Sequence, residues 1–168
     1  VIYQIDQQCR RLLWVGRRRS QATLRRGLKA LGPEVVRGLR FVCSDMWQPY
    51  LKVIAKKASG ALNILDRFHL VARLNKALDE IRATEARRLA SQGYEPVLTH
   101  SRWCLLKRPE NLTDKQRVKL DDLLRYDLRS VRGYLLKESL QGLWQFASAQ
   151  WARIYLDGWV GRAMRSRL

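Results

Sequence analysis

Two aspartates each close a short apolar run: Asp45 follows residues 39–44 (Leu-Arg-Phe-Val-Cys-Ser) and Asp66 follows residues 61–65 (Ala-Leu-Asn-Ile-Leu). Between them, Pro49 favours the first turn of a helix running through Tyr50, Leu51, Val53, Ile54 and Ala58 to a break at Ser59-Gly60. Strand, helix and strand within about 28 residues make a βαβ unit with parallel strands and a right-handed crossover. Both carboxylates then stand at the carboxyl edge of the sheet, where open α/β sheets bind their ligands. Carboxylates are the hard oxygen donors that divalent cations require, and in phosphoryl transfer on DNA two or three of them hold a pair of Mg²⁺ ions. A plainer reading stands beside this one, because Asp45-x-x-Gln48 also resembles a capping box, although Pro49 at the first helical position would move the cap to Gln48. Asp66 poses the same choice, with Arg67, Phe68 and His69 opening a helix behind it. His69 there either bonds a phosphate, orients a carboxylate or is a packed structural residue, and Phe68 reads as core.

These acidic positions lie in a strongly basic chain. Lys plus Arg number 33 against 15 for Asp plus Glu, a formal charge of +18, so a polyanion is the first partner to expect, ahead of a solvated basic face or a membrane surface. The basic residues cluster as Arg10-Arg11, Arg17-Arg18-Arg19, Arg25-Arg26, Lys56-Lys57 and Arg87-Arg88. Each phosphate neutralised by such a cluster releases counterions, giving strong, salt-sensitive and largely sequence-independent binding. Arg17, Arg18 and Arg19 sit where a strand gives way to a helix, and either grip a backbone or form a solvated turn. Trp103, in a loop with Arg102, Lys107 and Arg108, is the candidate for contact with a base, whereas Trp144, Trp151 and Trp159 read as helix core.

The 168 residues are enough to bury a core, and 46% hydrophobic residues with only 10 Gly and 4 Pro exclude disordered, collagenous and low-complexity classes. Cys9, Cys43 and Cys104 contain no C-x-x-C pair, so neither a disulfide framework nor a zinc knuckle is written here, and a reducing, cytoplasmic compartment is expected. With His69 and His100 the only histidines, a metal would be held by carboxylates. No apolar run approaches the roughly 18 residues that span a membrane, and no membrane partner is expected. The chain starts at Val1 without an initiator Met, which suggests a piece of a longer reading frame.

Residues 1–5 and 11–15 read as a hairpin about Asp6-Gln7-Gln8. Ser20 is an N-cap for a helix to Leu31, with Ala22, Leu24, Leu28 and Leu31 on one face and Gly32-Pro33 ending it. The run 39–44 reads as a strand buried on both faces. Phe68 to Ala90 forms a long amphipathic helix through Val71, Leu74, Leu78, Ile81 and Leu89. Past Gly93 the pattern changes to a loop, a capping box at Thr113 and Gln116, and helices over Leu128 to Phe146 and Trp151 to Met164, so the second half reads as all-helical.

The segment Val42-Cys43-Ser44-Asp45-Met46-Trp47-Gln48-Pro49-Tyr50, followed by Leu65-Asp66-Arg67-Phe68-His69, strongly resembles the DDE transposases of the ISL-three family of bacterial insertion sequences. Trp103-Cys104-Leu105-Leu106-Lys107 with Asn111-Leu112-Thr113, and Tyr134-Leu135-Leu136-Lys137-Glu138 leading to Trp144, look like later segments of the same family. The resemblance implies an α/β fold, a ribonuclease H-like mixed sheet core followed by an all-helical insertion subdomain. Residues 1–92 would be a partial catalytic core lacking its first strand, and residues 93–168 the insertion. Asp45 would be the second catalytic aspartate and a metal ligand, with Asp66 and His69 supporting it. Mg²⁺ or Mn²⁺ would be the cofactor, and transposon ends and target DNA the partners, met in the cytoplasm by Arg17, Arg18, Arg19, Arg25, Arg26, Lys56 and Lys57.

The family's first catalytic aspartate lies on a strand that should precede Val1, and Asp6 does not match its context. Its final glutamate belongs to a Gly-x-x-Glu-Gly-x-Asn type of motif that no glutamate here matches. The expectation is therefore an internal fragment of a transposase that cleaves and joins DNA, inactive on its own. The rival is a catalytically inactive remnant that only binds DNA or other transposase subunits.

Overall fold

The β-branched and aromatic residues at the start of the chain form an antiparallel ribbon, β1 (Ile2–Asp6) paired with β2 (Cys9–Trp14), with Ile2 opposite Trp14 and Asp6 opposite Cys9. The computed structural model describes residues 1–6 and 9–168, so the turn expected at Gln7 and Gln8 lies outside the described residues. Ser20 caps α1 (Gln21–Leu31) as expected, its hydroxyl accepting a hydrogen bond from the Thr23 nitrogen at 3.2 Å. The helix stops at Gly32, whose φ of 86° favours glycine, and Pro33 opens α2 (Pro33–Arg37).

The buried face of α1 carries Thr23, Gly27 and Leu28, while Ala22, expected on it, is exposed. Gly27 decides this, because a Cβ there would lie 2.7 Å from the Trp14 ring and 2.8 Å from Ile2 Cδ1. Only glycine lets the ribbon approach the helix this closely.

The expected βαβ unit is present: β3 (Phe41–Ser44), α3 (Gln48–Lys57) and β4 (Leu62–Leu65), with the strands parallel and Phe41 level with Leu62, Ser44 with Leu65. Val53, Ile54 and Ala58 are its buried apolar residues. The strands themselves are not buried on both faces, as the apolar run 39–44 suggested; Phe41 is 56% and Leu62 63% exposed, and Ile64 and Leu65 are exposed too. Burial on both sides requires helices over both faces of a sheet, and a single crossover helix covers one. Among the described residues the β1–β2 and β3–β4 pairs are separate two-stranded sheets, not one mixed sheet.

The long amphipathic stretch forms α4 (Arg67–Ser91). It is followed by α5 (Arg102–Leu106), a 3₁₀ turn at Pro109–Asn111, α6 (Asp114–Leu123), α7 (Arg129–Leu140), a 3₁₀ segment at Gln141–Gln145 and α8 (Ala149–Arg165). The chain divides into two compact units, Val1–Leu70 and Val71–Leu168, so the boundary falls within α4. In the second unit one cluster gathers Leu78, Cys104, Leu105, Leu112, Leu120 and Tyr134, and another gathers Leu89, Leu98, Leu123, Leu128 and Val131.

The Thr113–Gln116 capping box forms at the head of α6 as the sequence indicates. Three local expectations fail in this unit. The basic stretch around Trp103 is partly helical, as α5; α7 ends at Leu140 rather than continuing to Phe146; and Trp151 is 61% exposed rather than core. Trp159 instead donates its indole hydrogen to the Leu136 carbonyl at 2.9 Å, which sets the face that α8 turns toward α7. Two charged side chains lie deep among the described residues of the unit: Glu85 on α4, and Lys137 on α7, whose ammonium donates to the Leu105 carbonyl at 2.7 Å.

Candidate active site at the ends of β3 and β4

Ser44 and Leu65 are register partners, so the residues that follow them, Asp45 and Asp66, emerge side by side at the carboxyl edge of the parallel pair. The Asp66 nitrogen extends the ladder by donating to the Ser44 carbonyl at 3.2 Å, and the Ser44 hydroxyl reaches Asn63 Oδ1 on the neighbouring strand at 3.3 Å. The βαβ topology alone brings the two aspartates together, as the sequence predicts.

Asp45 is largely enclosed, its side chain 18% exposed. Its Oδ1 accepts a hydrogen bond from the Trp47 nitrogen at 3.2 Å, closing the turn between β3 and α3. The capping box considered for Asp45 and Gln48 does not form, since the cap position of α3 is Trp47, followed by Pro49 in the first turn. The other oxygen, Oδ2, accepts a hydrogen bond from Arg19 Nη2 in an ion pair. The Arg19 guanidinium also lies over the Trp47 ring, 4.9 Å from its centre, and that ring meets Tyr50 edge-on at 4.7 Å. The Asp-Met-Trp-x-Pro-Tyr motif thus has a local logic. Trp47 gives Asp45 a backbone donor and Arg19 a platform, and Tyr50, one position beyond Pro49, steadies the platform.

Asp66 has a different local role. Its Oδ1 accepts from the Phe68 nitrogen at 2.8 Å and its carbonyl from the Leu70 nitrogen at 3.2 Å, so it caps α4. His69 lies with its Nε2 3.8 Å from Asp66 Oδ2, a contact with Asp66 and one that becomes an ion pair only when the imidazole is protonated. Phe68, expected in the core, is 73% exposed and lies edge-on to His69 at 5.6 Å. It lies on the first turn of α4 and is not among the helix's buried residues, which are Leu78, Glu85 and Leu89.

The basic candidates separate on inspection. Arg17 and Arg18 are exposed between β2 and α1, whereas Arg19 of the same cluster is committed to Asp45 and Trp47. Arg25 and Arg26 are exposed on α1, with Arg25 donating to Gln21 Oε1 at 3.1 Å. Lys56 and Lys57 are exposed in the last turn of α3. All seven belong to the unit that holds Asp45. Trp103 belongs to the other; it is 53% exposed, with the Arg102 guanidinium 5.1 Å from the centre of its ring.

The pairing of Arg19 with Asp45 is the relationship sequence reasoning missed. Twenty-six positions separate the two, and nothing in the Arg17-Arg18-Arg19 run distinguishes its last member. Among the described residues no group of three His, Cys, Asp or Glu side chains is placed to hold a metal ion. Asp45 has one oxygen on the Trp47 nitrogen and the other on Arg19, and Asp66 has one on the Phe68 nitrogen. The described donors therefore do not by themselves fit a two-metal centre. No helix among the described residues is long and apolar enough to cross a membrane.

Over 164 residues the chain is 30% identical to a transposase for insertion sequence element IS1001 from Bordetella parapertussis, covering 96% of this chain and 40% of that protein. It is also 30% identical to a transposase for insertion sequence element IS1557 from Mycobacterium tuberculosis, covering 98% of this chain and 42% of the relative. The chain thus spans about two fifths of the length of these curated relatives. No solved structure gives a significant match. The family model for ISL3-type DDE transposases, described as transposase, matches residues 1–168, and the chain belongs to that transposase family.

Proposed function

We propose that this chain forms part of the catalytic region of an insertion-sequence transposase, which cuts transposon ends and joins them to target DNA. The observation that carries the reading is the placement of Asp45 and Asp66 at the ends of two register-matched parallel strands within a unit bearing exposed Arg17, Arg18, Arg25, Arg26, Lys56 and Lys57. In this reading Asp45 supplies one carboxylate to the Mg²⁺ or Mn²⁺ ions of the complete enzyme, and Asp66 and His69 support the same edge. The antiparallel ribbon and the parallel pair are components of a ribonuclease H-like mixed sheet, and residues 93–168 are a helical insertion. The exposed apolar residues Phe41, Leu62, Ile64 and Leu65 support that completion, because a sheet with further strands and a second helical layer would bury them. The basic clusters bind DNA through its phosphates.

The test is Asp45→Asn in a full-length transposase carrying this region. Asparagine keeps an oxygen for the Trp47 nitrogen, so the fold and DNA binding are expected to persist while strand cleavage is lost. Retained cleavage would remove Asp45 from the reaction. A second reading, a region that binds DNA or other transposase subunits without chemistry of its own, draws on the engagement of Asp45 by Arg19 and the lack of a three-ligand cluster among the described residues. Mg²⁺-dependent nicking by the 168-residue chain would exclude it; salt-sensitive DNA binding without nicking would favour it.

A further inference from the structure

Trp103 stands out from the helix that carries it. Around it α5 is sunk into its unit: Cys104 and Leu105 are buried, and so is Ser101 just before the helix, its hydroxyl donating to the Leu98 carbonyl at 2.6 Å. The far end is fastened by Lys137, whose ammonium donates to the Leu105 carbonyl at 2.7 Å and pairs with Glu138 at 2.9 Å. An element held this firmly fixes what it presents outward, and it presents an indole that is 53% exposed. The Arg102 guanidinium lies over that indole, 5.1 Å from the ring centre. Asp79 on α4 holds it there, its Oδ2 facing Arg102 Nε at 3.0 Å while its Oδ1 accepts from Arg82 Nε at 2.8 Å. The Arg82 and Asp79 side chains are mostly enclosed and form the anchor, whereas Arg102 is the exposed outer member. Two guanidiniums on one carboxylate leave one positive charge in excess, an attraction for an anion. The exposed part of the ring can take a second flat group, and Arg102 keeps N–H donors beyond Nε for a phosphate. A flat aromatic group with a phosphate beside it is a nucleotide. In a duplex each base is stacked between its neighbours, so an unpaired base is the one that offers a face.

We propose that Trp103 and Arg102 form a stacking platform for an unpaired base of single-stranded DNA, with Asp79 the positioning residue that keeps Arg102 on the ring. The inference rests on the proposed function only for DNA as the partner. It does not involve Asp45, which lies in the other unit.

The test is binding of the 168-residue chain to a single strand of about 12 nucleotides and to the matching duplex, followed by fluorescence anisotropy. Trp103→Leu keeps an apolar side chain without a π-face, and Trp103→Phe keeps the face. The leucine variant is expected to lose roughly five- to thirtyfold in affinity for the single strand and to hold its duplex affinity within about twofold. The phenylalanine variant is expected to retain most of the single-strand affinity. A single strand built with a fluorescent purine analogue that dims on stacking is expected to dim with the unmutated chain and Trp103→Phe, and to stay bright with Trp103→Leu. Asp79→Ala is expected to weaken the dimming and Asp79→Glu to restore it in part, while duplex affinity holds. Leucine and phenylalanine variants that bind the single strand equally, or a leucine variant that loses duplex and single strand alike, overturn the platform while the proposed function stands. Full dimming with Asp79→Ala removes Asp79 from the positioning role. An unmutated chain that binds neither DNA overturns the platform together with the DNA-binding part of the proposed function.

Discussion

Glu85 on α4 accepts both hydrogen bonds that Ser130 donates at the head of α7, from the backbone nitrogen at 2.8 Å and from the hydroxyl at 2.7 Å. Its second oxygen takes the Arg129 nitrogen at 2.8 Å, and Arg88 stands 3.7 Å away. The residue at the cap position of α7, Leu128, has no side chain to offer these nitrogens, so a carboxylate from another helix does the capping, with the helix dipole in its favour. Glu85 is only 3% exposed. Glu85→Ala leaves two backbone donors and a hydroxyl buried without their acceptor, and a loss of about 2–4 kcal/mol in urea unfolding is expected. Glu85→Gln, which keeps one acceptor, should lose less.

Tyr134 is buried in the cluster that contains Leu78 and Leu120. Burial, followed by the nearby charges of Glu138 and Asp121, pushes its phenol up to about 12 from an ordinary 10.0. The folded state then holds the proton more tightly than the unfolded state. Below pH 10 both states are protonated and stability is unaffected; between 10 and about 12 the unfolded chain alone deprotonates, and stability falls as pH rises. Chemical denaturation across that window should show the unmutated chain losing on the order of 2 kcal/mol more than Tyr134→Phe, which has no proton to lose.

Asp66 combines two roles that substitution can separate. Asp66→Ala removes the acceptor for the Phe68 nitrogen and should lower thermal stability by about 1 kcal/mol, whereas Asp66→Asn keeps the cap and should be near neutral. If Asp66 also supports the metal edge, Asp66→Asn will slow cleavage in a full-length transposase despite its intact fold. Unchanged cleavage would leave Asp66 a helix cap and nothing more.

Arg17 and Arg18 should behave unlike Arg19 in DNA binding. Replacing both by Ala is expected to reduce the slope of log affinity against log salt by about two, close to one per phosphate contact. Arg19→Ala alone, measured without divalent ions, should change the slope less, because its guanidinium is already neutralised by Asp45. Filter binding to a short duplex over a range of NaCl concentrations distinguishes the two outcomes.

Much of this protein follows from local sequence. Ser20, Gly32-Pro33, Thr113 with Gln116, and the apolar runs ending at Asp45 and Asp66 place their elements because caps, breakers and periodicity act over a few residues. The parallel pairing of β3 and β4 follows as well, since a strand–helix–strand of that length has one favoured topology. Tertiary structure decided what those rules do not reach. Phe68 is exposed and Glu85 buried, against the habits of their types, because burial depends on which helix face meets a neighbour. Gly27 matters through the Trp14 ring it admits. Arg19 joins Asp45 rather than its own basic cluster because folding brings the β2–α1 linker to the end of β3, a proximity that residue spacing along the chain does not encode.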